Sequence, residues 1–205
     1  MGLPTADATL PMRLEKEASP MPELKPLDDA EMDEEQRRIM DSMRERGRDY
    51  AVFRTMLRHP SAMEAFLGWG SYILSDRNSL SVELRELAIL RTGALRRCEY
   101  EFLRHAVIAR QHGFTDATLR AIAQGDRSSL TDEMVLIVQA VDELVEAGRI
   151  APQTFERVRA TFGDHTAIDL IWTVGQYSQV CMFLLTAGVA PDPDIAADPL
   201  RELFA

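Results

Sequence analysis

Residues Leu84–His112 read LRELAILRTGALRRCEYEFLRHAVIARQH, and the spacing within this stretch decides the fold class. Leu80, Leu84, Leu87, Leu90 and Arg91 recur at intervals that put them on one face of an α-helix. If Cys98 opens a second helix, a rotation of 100° per residue gathers Glu101, Phe102, His105, Ile108, Ala109 and His112 on one side. Tyr100, Leu103 and Val107 then occupy the other side. A helix that is apolar on both sides is sandwiched, so Glu101 and His105 are expected to be drawn out of water. A carboxyl and an imidazole four residues apart, partly dehydrated, form a coupled pair that can hold or move one proton near neutral pH. The same spacing also describes an ordinary helix-surface pair worth ~0.2–0.5 kcal/mol, and periodicity alone leaves both readings open.

Outward from this stretch, capping residues divide the chain into helices. Asp29 is placed to open a helix running through Arg46, and Pro60 sits at the start of another that ends near Leu74. Ser81 with Glu83, Thr115 with a closing Gly125, and Thr131 with a closing Gly148 mark three more. Pro152 suits a first helical position, with Gly163 ending that helix. Asp164 then starts a long last helix stopped by Gly188 and Pro191, apolar on nearly every side between Ile168 and Leu185. Such a helix is buried in a bundle or at a subunit interface, and Trp172 and Tyr177 within it read as core. No segment alternates like a strand, so the expected class is all-α.

Five of the ten prolines fall in the first 30 residues: Pro4, Pro11, Pro20, Pro22 and Pro26. Proline costs ~3 kcal/mol inside a helix. Residues 1–30 are therefore expected to form an extended arm, 31–193 a helical domain and 194–205 a C-terminal tail. Met12, Leu14, Met21, Leu24 and Leu27 give the arm apolar groups to bury, so a strap on a neighbouring subunit and a loose tail are equally open.

The net charge of −10 removes the basic footprint that nucleic acid requires. The one local basic concentration, Arg91, Arg96, Arg97 and Arg104, suits a single small organic anion. No apolar run reaches the ~18–20 residues of a membrane span. Met-Gly-Leu-Pro with acids close behind lacks the pattern of a secretory signal, and Ala6 stands where a myristoylation signal needs Ser or Thr. The expected compartment is the cytoplasm. Cys98 and Cys181, far apart in sequence, provide neither a metal motif nor a disulfide framework. Cys98 is either a small buried hydrophobe or, at a helix N-terminus beside Arg96 and Arg97, a candidate nucleophile.

LRELAILR followed by CEYEFLRHAVIARQHG resembles the core of the carboxymuconolactone decarboxylase-like family. VFRTMLRHP (Val52–Pro60), AVDELV (Ala140–Val145) and LLTAGV (Leu184–Val189) resemble flanking pieces in the same order, so the likeness spans roughly residues 50 to 193. It implies a multi-helix alkylhydroperoxidase-like bundle that assembles as trimers or as hexamers built from them. The family contains lactone decarboxylases of aromatic catabolism and thiol-dependent alkylhydroperoxidases. Its peroxidase branch carries a Glu, then Cys-x-x-Cys, then a His four residues after the second Cys. On this chain those positions are Glu86, Cys98, Glu101 and His105. Glu101 stands where the second Cys belongs, and a carboxylate cannot close the disulfide of that cycle. The retained Cys-x-Tyr-Glu-Phe-x-x-His pattern resembles the decarboxylase-like branch. The family tail often has Asn where this chain has Thr186.

These readings converge on an expected cofactor-free, metal-free lyase acting on a small carboxylated lactone or aromatic-catabolism intermediate. Glu101 and His105 would deliver the proton, with Cys98 kept among the catalytic candidates. The resemblance suggests that Glu86 orients His105. Arg91 is the candidate anchor for a substrate carboxylate, with Phe102 and Tyr177 lining the site. The alternatives are an alkylhydroperoxidase-like antioxidant protein using Cys98 and a non-catalytic oligomeric ligand-binding protein.

Overall fold

The computed structural model describes residues 24–205. Eight α-helices and two short 3-10 segments account for its regular structure, and no strand occurs among the described residues. The helices are α1 (Glu34–Glu45), α2 (Ala51–Met56), α3 (Pro60–Ile73), α4 (Val82–Leu95), α5 (Glu99–Gln111), α6 (Asp116–Gln124), α7 (Asp132–Ala147) and α8 (Pro152–Ala187).

Most boundaries follow from local chemistry. Ser81, Thr115 and Thr131 accept hydrogen bonds from the amides of Leu84, Thr118 and Met134, satisfying donors that the first turn leaves unpaired. Gly125, Gly148 and Gly188 close their helices in the left-handed conformation. One expectation needs correction. Asp29 opens only a 3-10 turn (Asp29–Glu31); Asp33 caps α1 instead, in a reciprocal box with Gln36. Helix α2 was not anticipated, because its six residues carry no side-chain cap and are too few to show a period. Gly163, at φ 86° and ψ 170°, breaks α8 into two helical segments, where the sequence places a helix end. Only glycine adopts that backbone readily.

Helix α4 is the centre of the bundle, buried on every side from Arg85 to Gly93 and packed against α5, α6, α7 and α8. The main core joins Leu87, Leu90, Phe102, Leu103, Ile122, Ile137 and Leu170. Each fully buried side chain of this kind contributes about 1.5–3 kcal/mol. A smaller layer forms around Met40, Met43, Leu57 and Met63 from α1 and α3 and the loop after α2.

The arm as expected from sequence lies mostly outside the described residues, including Pro4, Pro11, Pro20, Pro22, Met12, Leu14 and Met21. Its described end runs along its own chain: Leu24 N donates to Ala187 O, and Leu27 is buried in the smaller layer. The last residues are also packed. The 3-10 segment Pro199–Phe204 buries Leu200 and lays Phe204 against Phe102, ring centroids 5.3 Å apart. Asp192 accepts hydrogen bonds from Ala51 N, the Tyr100 hydroxyl and Arg104, binding this end of the chain to α2 and α5.

Candidate active site

The α4–α5 connection sets the geometry. Gly93 lets the helices approach: a Cβ there would lie 3.4 Å from the backbone nitrogen of Phe102. Arg97 takes φ 54° to turn the chain, a conformation that costs a non-glycine residue about 1–2 kcal/mol. Cys98 then caps α5. This turn brings Glu86 on α4 beneath two successive turns of α5. His105 Nδ1 lies 2.6 Å from Glu86 Oε2, and its Nε2 lies 3.2 Å from Glu101 Oε1. All three side chains are buried.

Burial pulls the imidazole toward its neutral form, but Glu86 and Glu101 outweigh burial and push the His105 pKa up to about 10. At neutral pH the ring is an imidazolium that donates from both nitrogens, one to each carboxylate. The carboxylates flank the ring and do not converge, and no metal-ligating cluster is found among the described residues. Tyr177 on α8 presents its ring edge-on to His105, with centroids 4.8 Å apart and planes at 87°. Burial and the two carboxylates raise the Tyr177 pKa well above its usual value, so its hydroxyl stays a donor.

Glu101, His105 and Tyr177 face a cavity of about 310 Å³ between α2, α3, α5 and α8. That is the small end of the range for sites that enclose organic molecules. Val52, Phe53, Phe66, Leu74, Ile108 and Val180 supply apolar wall. The polar lining includes Arg48, Arg104, Gln111 and Gln176.

The expected face of α5 is therefore only half right. Tyr100, Glu101, Arg104, His105, Val107, Ile108 and Gln111 line the cavity, whereas Phe102 and Ala109 belong to the core. Phe102, expected to touch substrate, is fully buried against Phe204 and does not line the cavity. Arg91, the expected carboxylate anchor, is engaged elsewhere. It pairs with Asp142 at 2.6 Å and donates to the carbonyls of Ile122 and Ala123, holding α4 to α6 and α7. Trp172, expected in the core, is about half exposed. Cys98 is buried just outside the cavity lining, and the Cys181 thiol lies against it. Contact with Cys98 and burial drive the Cys181 pKa strongly upward, away from a reactive thiolate.

Sequence reading missed Arg48, which sits in the α1–α2 connection where no periodicity marks it. It also missed Gln176, although an amide inside an apolar helix is itself a signal that something polar is buried there.

The fold is all-helical and alkylhydroperoxidase-like. Residues 60–143 match the model of the carboxymuconolactone decarboxylase family. No curated protein matches the chain. Among solved structures it is similar to an uncharacterized peroxidase-related protein with an alkylhydroperoxidase AhpD core from Ralstonia eutropha JMP134. That likeness has a TM-score of 0.75 at 17% identity and covers 87% of this chain and 96% of that one. A peroxidase-related protein from Silicibacter sp. TM1040 gives a TM-score of 0.74 at 16% identity, over 88% and 98% of the two chains. A debrominase in complex with 2,3,4-tribromopyrrole gives 0.72 at 14%, over 88% and 96%. At these identities the likenesses establish the fold alone.

Proposed function

We propose that this chain is a cofactor-free lyase that removes CO₂ from a small carboxylated lactone or related ring-cleavage product. The observation that carries the reading is the buried Glu86–His105–Glu101 set opening onto a largely apolar cavity of about 310 Å³. In the proposed step the bond from carbon to the substrate carboxylate breaks. CO₂ leaves, and the electron pair stays on the ring as a delocalised enolate. A proton held between His105 and Glu101 is delivered to carbon, so one substrate anion and one proton give CO₂ and the neutral ring product. Glu86 holds the ring on its other nitrogen and keeps the imidazolium aimed at Glu101. Apolar walls favour this chemistry, because charge dispersed over an enolate tolerates a dry site better than a localised carboxylate does.

A thiol-peroxidase reading is less well supported. Glu101 occupies the position of a resolving cysteine, and both thiols are sealed from the cavity. Carboxylated lactones of one ring, incubated with the protein, should release CO₂ in a direct assay, while alkyl hydroperoxide with a dithiol reductant should show negligible turnover. Hydroperoxide turnover abolished by Cys98→Ser, with the lactones inert, would replace this reading with the thiol one.

We also propose a homo-oligomer of this chain, with the trimer or hexamer of the resembling family as the expected forms. Ile168, Trp172, Met182 and Leu185 are each about half exposed on one side of α8, and Trp69 from α3 meets Trp172 edge-on at 5.7 Å. An exposed apolar stripe of this size is costly to leave in water. Light scattering is expected to give a multiple of the 23.1 kDa chain mass at micromolar concentration; a monomer there overturns the proposal. No helix among the described residues is long and apolar enough to cross a bilayer.

A further inference from the structure

Arg48, Gln176 and Tyr177 line the cavity, and none of their side chains is hydrogen-bonded to another described residue. Gln176 and Tyr177 are more than nine-tenths buried, yet neither carries a sealed, unpartnered polar atom, so their polar ends reach the cavity and are open to a ligand or water there. Cations on the cavity are not equivalent. Arg104 is paired with Asp192 and Asp194 and lies 4.0 Å over the Tyr50 ring. His105 is held between its two carboxylates. Arg48, exposed in the α1–α2 connection, has no carboxylate partner among the described residues.

We infer that Arg48, Gln176 and Tyr177 form a recognition set for a small, planar organic anion, in which Arg48 binds a carboxylate at the cavity rim and the Gln176 amide with the Tyr177 hydroxyl binds a carbonyl oxygen inside. This deepens the lyase reading and rests on it for the identity of the reacting end, but the binding geometry stands separately. Glu101 lines the floor of the cavity, and with Glu86 behind it the two carboxylates outnumber the single His105 imidazolium, so the floor disfavours an anion, while Arg48 makes the rim attractive. A ligand with one carboxylate and an apolar ring is therefore oriented with its charge outward. Tyr177 stays protonated beside those carboxylates, so it donates, as does the Gln176 amide. Two donors on one carbonyl oxygen also suit the developing oxyanion of an enolate. Arg48 takes over the role that sequence reading gave to Arg91.

The test is calorimetric binding of two non-reactive probes, benzoate and its neutral isostere benzamide, to the full chain. Wild type is expected to bind benzoate about tenfold more tightly than benzamide, the low end for a charge-assisted contact because Arg48 is exposed. Added salt should shrink that preference. Arg48→Gln is expected to abolish the preference while leaving benzamide binding unchanged. Gln176→Leu, of similar volume, should weaken both probes about fivefold through the lost carbonyl contact. The inference is overturned if neither probe binds, if both bind wild type equally, or if Arg48→Gln keeps the preference. Circular dichroism on each variant separates lost binding from lost fold. Should every lactone prove inert while benzoate binding depends on Arg48, the lyase reading falls and the recognition set stands. Lactone turnover with a KM unaffected by Arg48→Gln gives the reverse.

Discussion

Replacing Glu101 with Gln is expected to lower the rate on the true substrate by about 10²–10⁴, the usual contribution of general acid–base catalysis. The change keeps the shape of the side chain and its ability to hydrogen-bond to His105 Nε2, 3.2 Å away, but removes the group that takes up and releases the proton. His105→Asn should cost a similar factor, because the imidazolium is then gone. The double variant should be little worse than the worse single one: once either member is lost, the relay it serves no longer exists. A folded Glu101→Gln protein with wild-type rate would return the pair to a purely structural role. Strict additivity of the two losses would mean that each residue acts alone.

His105→Asn also carries the largest expected effect on stability. Glu86 and Glu101 are both buried, and the imidazolium is the cation that lies between them. Without it two carboxylates share a dry site unpaired, a defect that costs roughly 3–5 kcal/mol when one partner of a buried ion pair is removed. The pH dependence has a definite sign. The His105 pKa rises from about 6.5 in the unfolded chain to about 10 in the folded one. The folded state therefore holds its proton more tightly, and the resulting stability is fully present below pH 6.5. It declines as the pH rises from there and is lost as it passes through 10. In urea melts the gap between wild type and His105→Asn should be widest near pH 6 and close progressively toward pH 10. Titrating groups remote from the site cancel in that difference. A gap that stays constant over this range would show that the two carboxylates do not hold His105 protonated.

Light scattering, the lactone panel and the probe titrations address separate parts of the molecule, so their outcomes are independent. The proposed oligomer rests on the outer side of α8, the proposed proton delivery on Glu86, Glu101 and His105, and the proposed orientation of the ligand on Arg48, Gln176 and Tyr177.

Much of what is local along the chain is legible in the sequence, although the Asp33–Gln36 box that opens α1 and the short α2 are not. Ser81, Thr115 and Thr131 announce helix starts because a short oxygen-bearing side chain can reach an amide three residues on. Gly125, Gly148 and Gly188 announce ends because only glycine enters the left-handed region without strain. Glu101 and His105, one helical turn apart, had to share a face, and the run of apolar residues around them forced burial. Only the tertiary structure decided what meets that face. Phe102 lies 100° around the helix from Glu101, far enough for the α4–α5 packing to turn it into the core. Arg91 finds Asp142, 51 residues away, and so is not free to bind an anion in the cavity. Cys181 reaches Cys98 across 83 positions, a contact without any local signal. Caps and periodicity reflect forces that act within a turn or two of helix. The identity of a cavity wall depends on which helices cross and at what rotation, and that is set by the packing of the whole core.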